Sequence, residues 1–362
     1  MTQSFLDRVW QLRNDERPAV QFNVQADTGT TMLERFEDVG KMMRHQLAEM
    51  AGKAGIVDDS VPAFFPYLGT AIFPSAFGCP VQWYPDQDPW ARPILRDARD
   101  VYDLPEPAVT DGDLARALDY TRAMAAAPQR LPVRMTDVQG PLGIASLIWG
   151  EEGLMMAMYD APDAVHHLMA KVTRLIIAFV MEQRRIVHAA GLPFIPCHFP
   201  PIWMPDGTGI AVSDDMIALL SPRMYAEFAL PYMNRLAEAF GGIMLHSCGD
   251  FQHNLGNVRR IHNLRGVDFA ASETPFGAMS DALAEQCVLS VRLGLNKEIH
   301  FPTIPAFVQS VLAERRTNRG LYLIVNLWYS LPGSGTPLQP GDVERMAGQV
   351  MDGSDRHIGA VI

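Results

Sequence analysis

Short apolar runs alternate along this chain with longer segments whose apolar residues recur at helical spacing. The runs are AVQFNV after Pro18, VPAFFPYL over Val61 to Leu68, Leu131 to Thr136, IAVSDD, Ile243 to Leu245, Val267 to Ala271, Val288 to Leu293 and Leu321 to Asn326. Helical patterns cover Ser4 to Arg13, Thr31 to Met50, Asp113 to Ala127, Asp160 to about Ala190, Phe251 to His262, Met279 to Gln286, Thr303 to Arg316 and Pro340 to Met351. A further helix starts at Ser221, a capping residue followed by Pro222 at the position where a first turn tolerates proline. The Pro- and Asp-rich stretch through YPDQDPWARPIL reads as a long loop, and PFIPCHFPPIWMPDGTGIAVSDD holds one strand or two. Strands alternating with helices imply a parallel sheet, and about eight such units imply a (β/α)8 TIM barrel, with extra N-terminal helices, as one domain over residues 1–362. The rival is an open doubly wound sheet, but no Gly-rich phosphate fingerprint follows any strand.

Composition narrows the function classes. A net charge of −11 argues against a general nucleic-acid binder, which carries a basic face. No apolar run reads as a bilayer span, and the N-terminus lacks the apolar stretch and cleavage site of a signal peptide, so a cytoplasmic protein acting away from membranes is expected. Cys79, Cys197, Cys248 and Cys287 are dispersed, which fits reduced thiols rather than a disulfide framework.

In a barrel, chemistry collects where strands end. The stretch GGIMLHSCGD places His246 and Cys248 two residues apart at a strand tip, so an imidazole and a thiol project to one side. Both are good zinc ligands, whereas a bare His-x-Cys in an arbitrary chain is more often a core histidine beside an inert cysteine. Other polar tips are Asp214 and Asp215, Ser272 and Glu273, Asn296, and the group Asn326, Trp328, Tyr329 and Ser330. One of the two aspartates reads as a helix cap, Glu273 as a site residue or a solvated charge, and the asparagines as partners for loop backbone. Cys197 and His198 are adjacent, so at most one of them faces the site. Asp214, Glu273 and Tyr329 are the candidates for catalysis, and His198, Asn326 and Trp328 for substrate contact.

GPLGIASLIWG, YDAPDAVHHLMAKVT and, above all, SDDMIALLSPRMYAEFALPYMNRL followed by HSCGD resemble segments of the uroporphyrinogen decarboxylase superfamily, which includes zinc- and corrinoid-linked methyltransferases. The resemblance implies a (β/α)8 barrel with its pocket at the strand C-termini. Departures point away from porphyrinogen chemistry. QFNVQADTGTT lacks the arginines expected after the first strand, YLGTAIFPSAFG lacks the aspartate expected after the second, and the C-terminal Gly-His-Gly is replaced around Trp328, Tyr329 and Ser330. In the methyltransferase members, His-x-Cys and a later cysteine bind zinc. His246 and Cys248 match the first two, but the later cysteine is missing, which leaves Glu273, His198 or Tyr329 as the third ligand, or no metal. The resemblance thus implies a methyltransferase moving a methyl group between a small-molecule substrate and a corrinoid protein or thiol, with Zn2+ at the barrel mouth and methylcobalamin on a partner protein. A homodimer would be ordinary for such a barrel. The alternatives are a decarboxylase or lyase of a small carboxylic acid on the same barrel, and a non-catalytic binding protein.

Overall fold

The computed structural model describes residues 2–294, 299, 301–302 and 304–326. The helix expected over Pro340 to Met351, and the candidate positions Asn296, Trp328, Tyr329 and Ser330, lie outside the described residues.

Strands β1 (Ala19–Asn23), β2 (Val133–Arg134), β3 (Phe194–Ile195), β4 (Ile210–Ser213), β5 (Ile243–His246), β6 (Leu264–Ala270), β7 (Val288–Arg292) and β8 (Leu321–Asn326) build the sheet. One parallel ladder runs in the order β1, β8, β7, β6, β5, β4, and β2 pairs β3 in parallel. Backbone bonds join the two sheets. Asp59 N–H donates to Val20 O at 2.8 Å, Phe64 bridges Val133, and Ala211 N–H donates to Pro196 O at 2.8 Å. The ladder therefore returns on itself as a TIM barrel, and helices occupy most of the connections between parallel strands, the β3–β4 connection being a loop.

Several expected elements are shorter or divided. The run Val61 to Leu68 contributes only the Phe64 bridge, because Pro62 and Pro66 cannot donate to a ladder. The uncertain stretch after Pro193 holds two strands, β3 and β4. The helix expected over Thr31 to Met50 divides into Met32–Glu37 and Val39–Gly52. Asp38 leaves helical geometry there and caps the second helix through Lys41 N–H. The helix after Ser221 divides at Ala229, ahead of Pro231, which has no N–H to give to the carbonyl one turn back and so starts the second helix. Between Phe251 and His262 only a 3-10 turn, Gln252–Asn254, and the short helix Leu255–Val258 form. Within the Pro-rich loop, Val81–Gln82 and Trp90–Ala91 pair as a small antiparallel ribbon.

The helix Pro162–Ala189 is long and apolar enough, by length and composition, to cross a bilayer, which the sequence reading did not anticipate. Its residues Val165, Leu168, Val172, Ile176, Phe179 and Val180 are instead packed in the core.

Alternation along the strands sorts the residues into two populations. One face of each strand joins the large core beneath the outer helices. The other face builds a second, separate cluster in which Ala19, Ile195, Ala211, Met244, Val288 and Tyr322 meet Phe5, Leu6 and Val9 of the N-terminal helix Thr2–Trp10. That helix plugs the end of the barrel where the strands begin. Burying Phe5, Leu6 and Val9 there contributes roughly 1.5–3 kcal/mol each. One step further along the same strand faces, the interior becomes polar.

Candidate functional site

The polar layer is set by strand register. Ser213 of β4 lies opposite His246 of β5, His246 opposite Asp268 of β6, and Asp268 opposite Ser290 of β7. Residues opposite one another in a parallel ladder point to the same side, so these side chains share the barrel interior. Arg292 follows Ser290 by two positions and points the same way.

Asp268 is the hub. It is 0% exposed, accepts from Ser290 Oγ at 2.7 Å and from Arg292 Nε at 3.0 Å, and pairs with His246 Nδ1 at 2.6 Å. Burial works against its charge, but the Arg292 guanidinium and the His246 contact outweigh it and hold the carboxyl below the usual range. Burial likewise works against a charged His246, but its bonds to Asp268 and Cys248 lift it to about 9. With Nδ1 occupied by the carboxylate, Nε2 faces Cys248 Sγ at 3.7 Å. A carboxylate on the far nitrogen is the usual means of fixing a metal-binding imidazole.

Cys248 sits on the turn after β5. Gly249 takes the positive φ of 78° that this turn requires. Asp215 Oδ1 accepts from Cys248 N–H at 2.7 Å, and Glu273 Oε2 accepts from Gly249 N–H at 2.7 Å. Two carboxylates thus hold the turn that aims the sulfur. Among the described residues, Asp215, His246 and Cys248 form a group whose ligand atoms all lie within 4.8 Å of one another. Nitrogen, sulfur and carboxylate oxygen are a donor set that zinc accepts.

The surroundings are tightly organised. Phe199 meets the His246 ring edge-on, with centroids 4.6 Å apart, and the Arg292 guanidinium lies 5.2 Å from the Phe199 ring centre. Buried Arg134 holds the segment carrying Phe199 by donating to Cys197 O at 2.7 Å, Ile202 O at 2.6 Å and Pro201 O at 3.1 Å. Asp137 is buried, accepts from Gln139 Nε2 at 2.7 Å, and is raised to about 6 by burial.

The family described as uroporphyrinogen decarboxylase (URO-D) matches residues 9–189 and 206–289. The chain belongs to the uroporphyrinogen decarboxylase family. Curated decarboxylases of that name from Xanthomonas oryzae and Xanthomonas campestris are 28% identical over 178 residues and 30% identical over 179 residues. These alignments cover 45% and 46% of this chain but only 42% and 43% of the relatives. A methyltransferase from Methanosarcina mazei shares the fold over 98% of both chains, with a TM-score of 0.68 at 14% identity.

In this member of the uroporphyrinogen decarboxylase family, the sequence candidates take different places. His246 and Cys248 are brought together, and among the described residues the carboxylate grouped with them is Asp215, whereas Glu273 accepts from Gly249 N–H. Asp215 stands at the start of the helix Met216–Leu219, but its side chain makes no cap bond there. Asp214 is buried and bonded through Oδ2 to Tyr225 OH at 2.8 Å, while its Oδ1 has no hydrogen-bond partner. Burial raises Asp214 to about 7. His198 is buried one strand away, with Nε2 on Ser213 Oγ at 2.9 Å and Nδ1 unpartnered. Cys197 points elsewhere, toward Pro200 O at 3.2 Å. Asn326 Oδ1 accepts from Asn23 Nδ2 at 2.9 Å, across the β1–β8 seam. Asp268 and Arg292 were missed by the sequence reading. Their signal was present as one charged residue inside each of the apolar runs Val267 to Ala271 and Val288 to Leu293, an arrangement that burial permits only for paired charges.

Proposed function

We propose that this chain is a methyltransferase that moves a methyl group between a small substrate and a corrinoid protein or thiol, with zinc at the barrel mouth. The observation that carries this reading is the convergence of His246 Nε2, Cys248 Sγ and an Asp215 oxygen, with Asp268 fixing the far side of the imidazole. The fold shared with the Methanosarcina mazei methyltransferase supports it. His246, Cys248 and Asp215 would hold the metal. Zinc, when bound, supplies the positive charge that lets a thiol lose its proton at neutral pH.

The chain's own groups do the rest. Asp268 keeps the Nδ1 proton of His246 and leaves Nε2 free to act as a donor. His246 is protonated near neutral pH without metal, so metal uptake releases a proton. Phe199 closes one side of the imidazole to water. Asp214, raised to about 7 by burial, would hold a proton on its unpartnered Oδ1, since Oδ2 accepts from Tyr225.

Elemental analysis of untreated protein should find stoichiometric zinc that is lost in His246→Ala and reduced in Asp215→Asn. Methylcob(III)alamin offered with a panel of thiols should show the cobalamin spectrum of demethylation. Metal-free protein, or no spectral change with any acceptor, refutes the proposal. The partial likeness to the Xanthomonas decarboxylases favours a second reading, decarboxylation of a small acid, which CO2 release without any cobalamin change would select.

A further inference from the structure

An enzyme that handles an activated methyl group carries a hazard in its own ligand set, because a cysteine thiolate is itself a methyl acceptor. Cys248 is half-buried, whereas Cys79, Cys197 and Cys287 are buried. Arg292 Nη2 lies 3.7 Å from Cys248 Sγ, in hydrogen-bond contact with the sulfur. The same guanidinium is held rigidly in place: Nε is bonded to Asp268 at 3.0 Å, the group is almost fully buried, and the Phe199 ring lies 5.2 Å from its centre. Its direction is fixed by β7, where Val288, Ser290 and Arg292 all face the interior, so the contact does not depend on a freely moving side chain.

We infer that Arg292 is a positioning residue that keeps Cys248 a ligand and not a methyl acceptor. The inference rests on the methyl-transfer reading above. A cationic N–H pointed at a thiolate draws on the electron pair that would attack carbon, so the sulfur loses nucleophilicity while it stays ionised. In self-methylation that pair would form the S–CH3 bond as the bond from carbon to its leaving group breaks, and the leaving group would depart with the bonding electrons. Arg292 raises the barrier to this step at Cys248, the sulfur that its Nη2 contacts. Charge balance agrees, since Asp268 offsets the guanidinium and the ligand set is left with its own charge.

The test uses the full chain and methyl iodide, in which iodide is the leaving group, with no corrinoid or thiol present. Methylation at each cysteine is followed by mass spectrometry, in zinc-loaded protein and on the high-pH plateau of EDTA-treated protein. Arg292→Met should methylate Cys248 about tenfold faster, the size of one hydrogen bond to a charged group. Arg292→Lys should show a smaller rise, because an ammonium bonded to Asp268 lacks a second, rigidly placed N–H for the sulfur. Cys79, Cys197 and Cys287 should be unchanged, which separates loss of shielding from loosening of the fold. An unchanged or slower rate at Cys248, or equal acceleration at all four cysteines, overturns the inference. If Arg292→Met does not fold, Arg292→Lys decides alone. Because no cobalamin chemistry is read, this result is independent of the methyltransferase assay.

Discussion

Replacing Asp268 by asparagine tests the hub of the site most directly. Asparagine keeps the shape and one carbonyl acceptor but removes a charge that is 0% exposed. Three groups depend on that charge: Ser290 at 2.7 Å, His246 at 2.6 Å and Arg292 at 3.0 Å. Losing one neutral hydrogen bond would cost about 1 kcal/mol. Leaving the buried Arg292 guanidinium without its counter-charge costs about 3–5 kcal/mol, so the ion pair and not the hydrogen bonds sets the magnitude. The pH dependence has a definite sign. The folded-state carboxyl lies below its ordinary value, so its stabilisation is complete above about pH 4 and fades as pH falls through the lower folded value. His246 lies above its ordinary value at about 9, so its share fades as pH rises through that point. The gap between parent and Asp268→Asn should therefore be widest between about pH 4 and 6.5 and narrow toward both extremes. Urea midpoints of EDTA-treated protein across pH measure it. Zinc affinity, read by competition with a chromophoric chelator, should fall about 10–100-fold as the imidazole loses its orienting carboxylate. A loss under about 1 kcal/mol at neutral pH, with zinc affinity unchanged, would refute the reasoning.

Two further outcomes follow from the same geometry. Asp214 is raised to about 7 by burial, so the folded chain retains a proton that the unfolded chain releases, and stability declines as pH rises from about 4 toward 7. Asp214→Asn should remove that decline in EDTA-treated protein and gain on the parent between about pH 4 and 7, with no further gain above, and parallel urea curves for the two proteins would contradict it. Arg134→Met strands the carbonyls of Cys197, Pro201 and Ile202, which should cost about 3 kcal/mol or more and open residues 197–202 to limited proteolysis. Unaltered cleavage and an unaltered midpoint would show that the clamp is dispensable.

Much of the fold was legible because its signals are local. Runs of β-branched and apolar residues marked the strands, and Pro162, Ser221 and Pro222 marked helix starts where the structure has them. Boundaries failed where a competing local rule acted. Asp38 left the helix to become a cap, and Pro231 ended another. The Phe64 segment failed for a different reason, since the prolines that flank it have no N–H to give a ladder.

The sequence by itself determined the alternating units, the strand tip that carries His246 and Cys248, and the membership that those motifs announced. Only the tertiary structure decided which oxygen stands beside them. Asp214 and Asp215 are neighbours in the chain, and nothing local tells which one turns toward Cys248 and which one buries itself on Tyr225. Register decided the rest. His246, Asp268 and Ser290 lie on three strands separated in the chain by crossover segments, and they meet because a closed parallel ladder puts them opposite one another. Periodicity along a chain fixes which side of a strand a residue occupies, but the partner across the ladder depends on contacts between segments far apart in sequence, which no local pattern encodes.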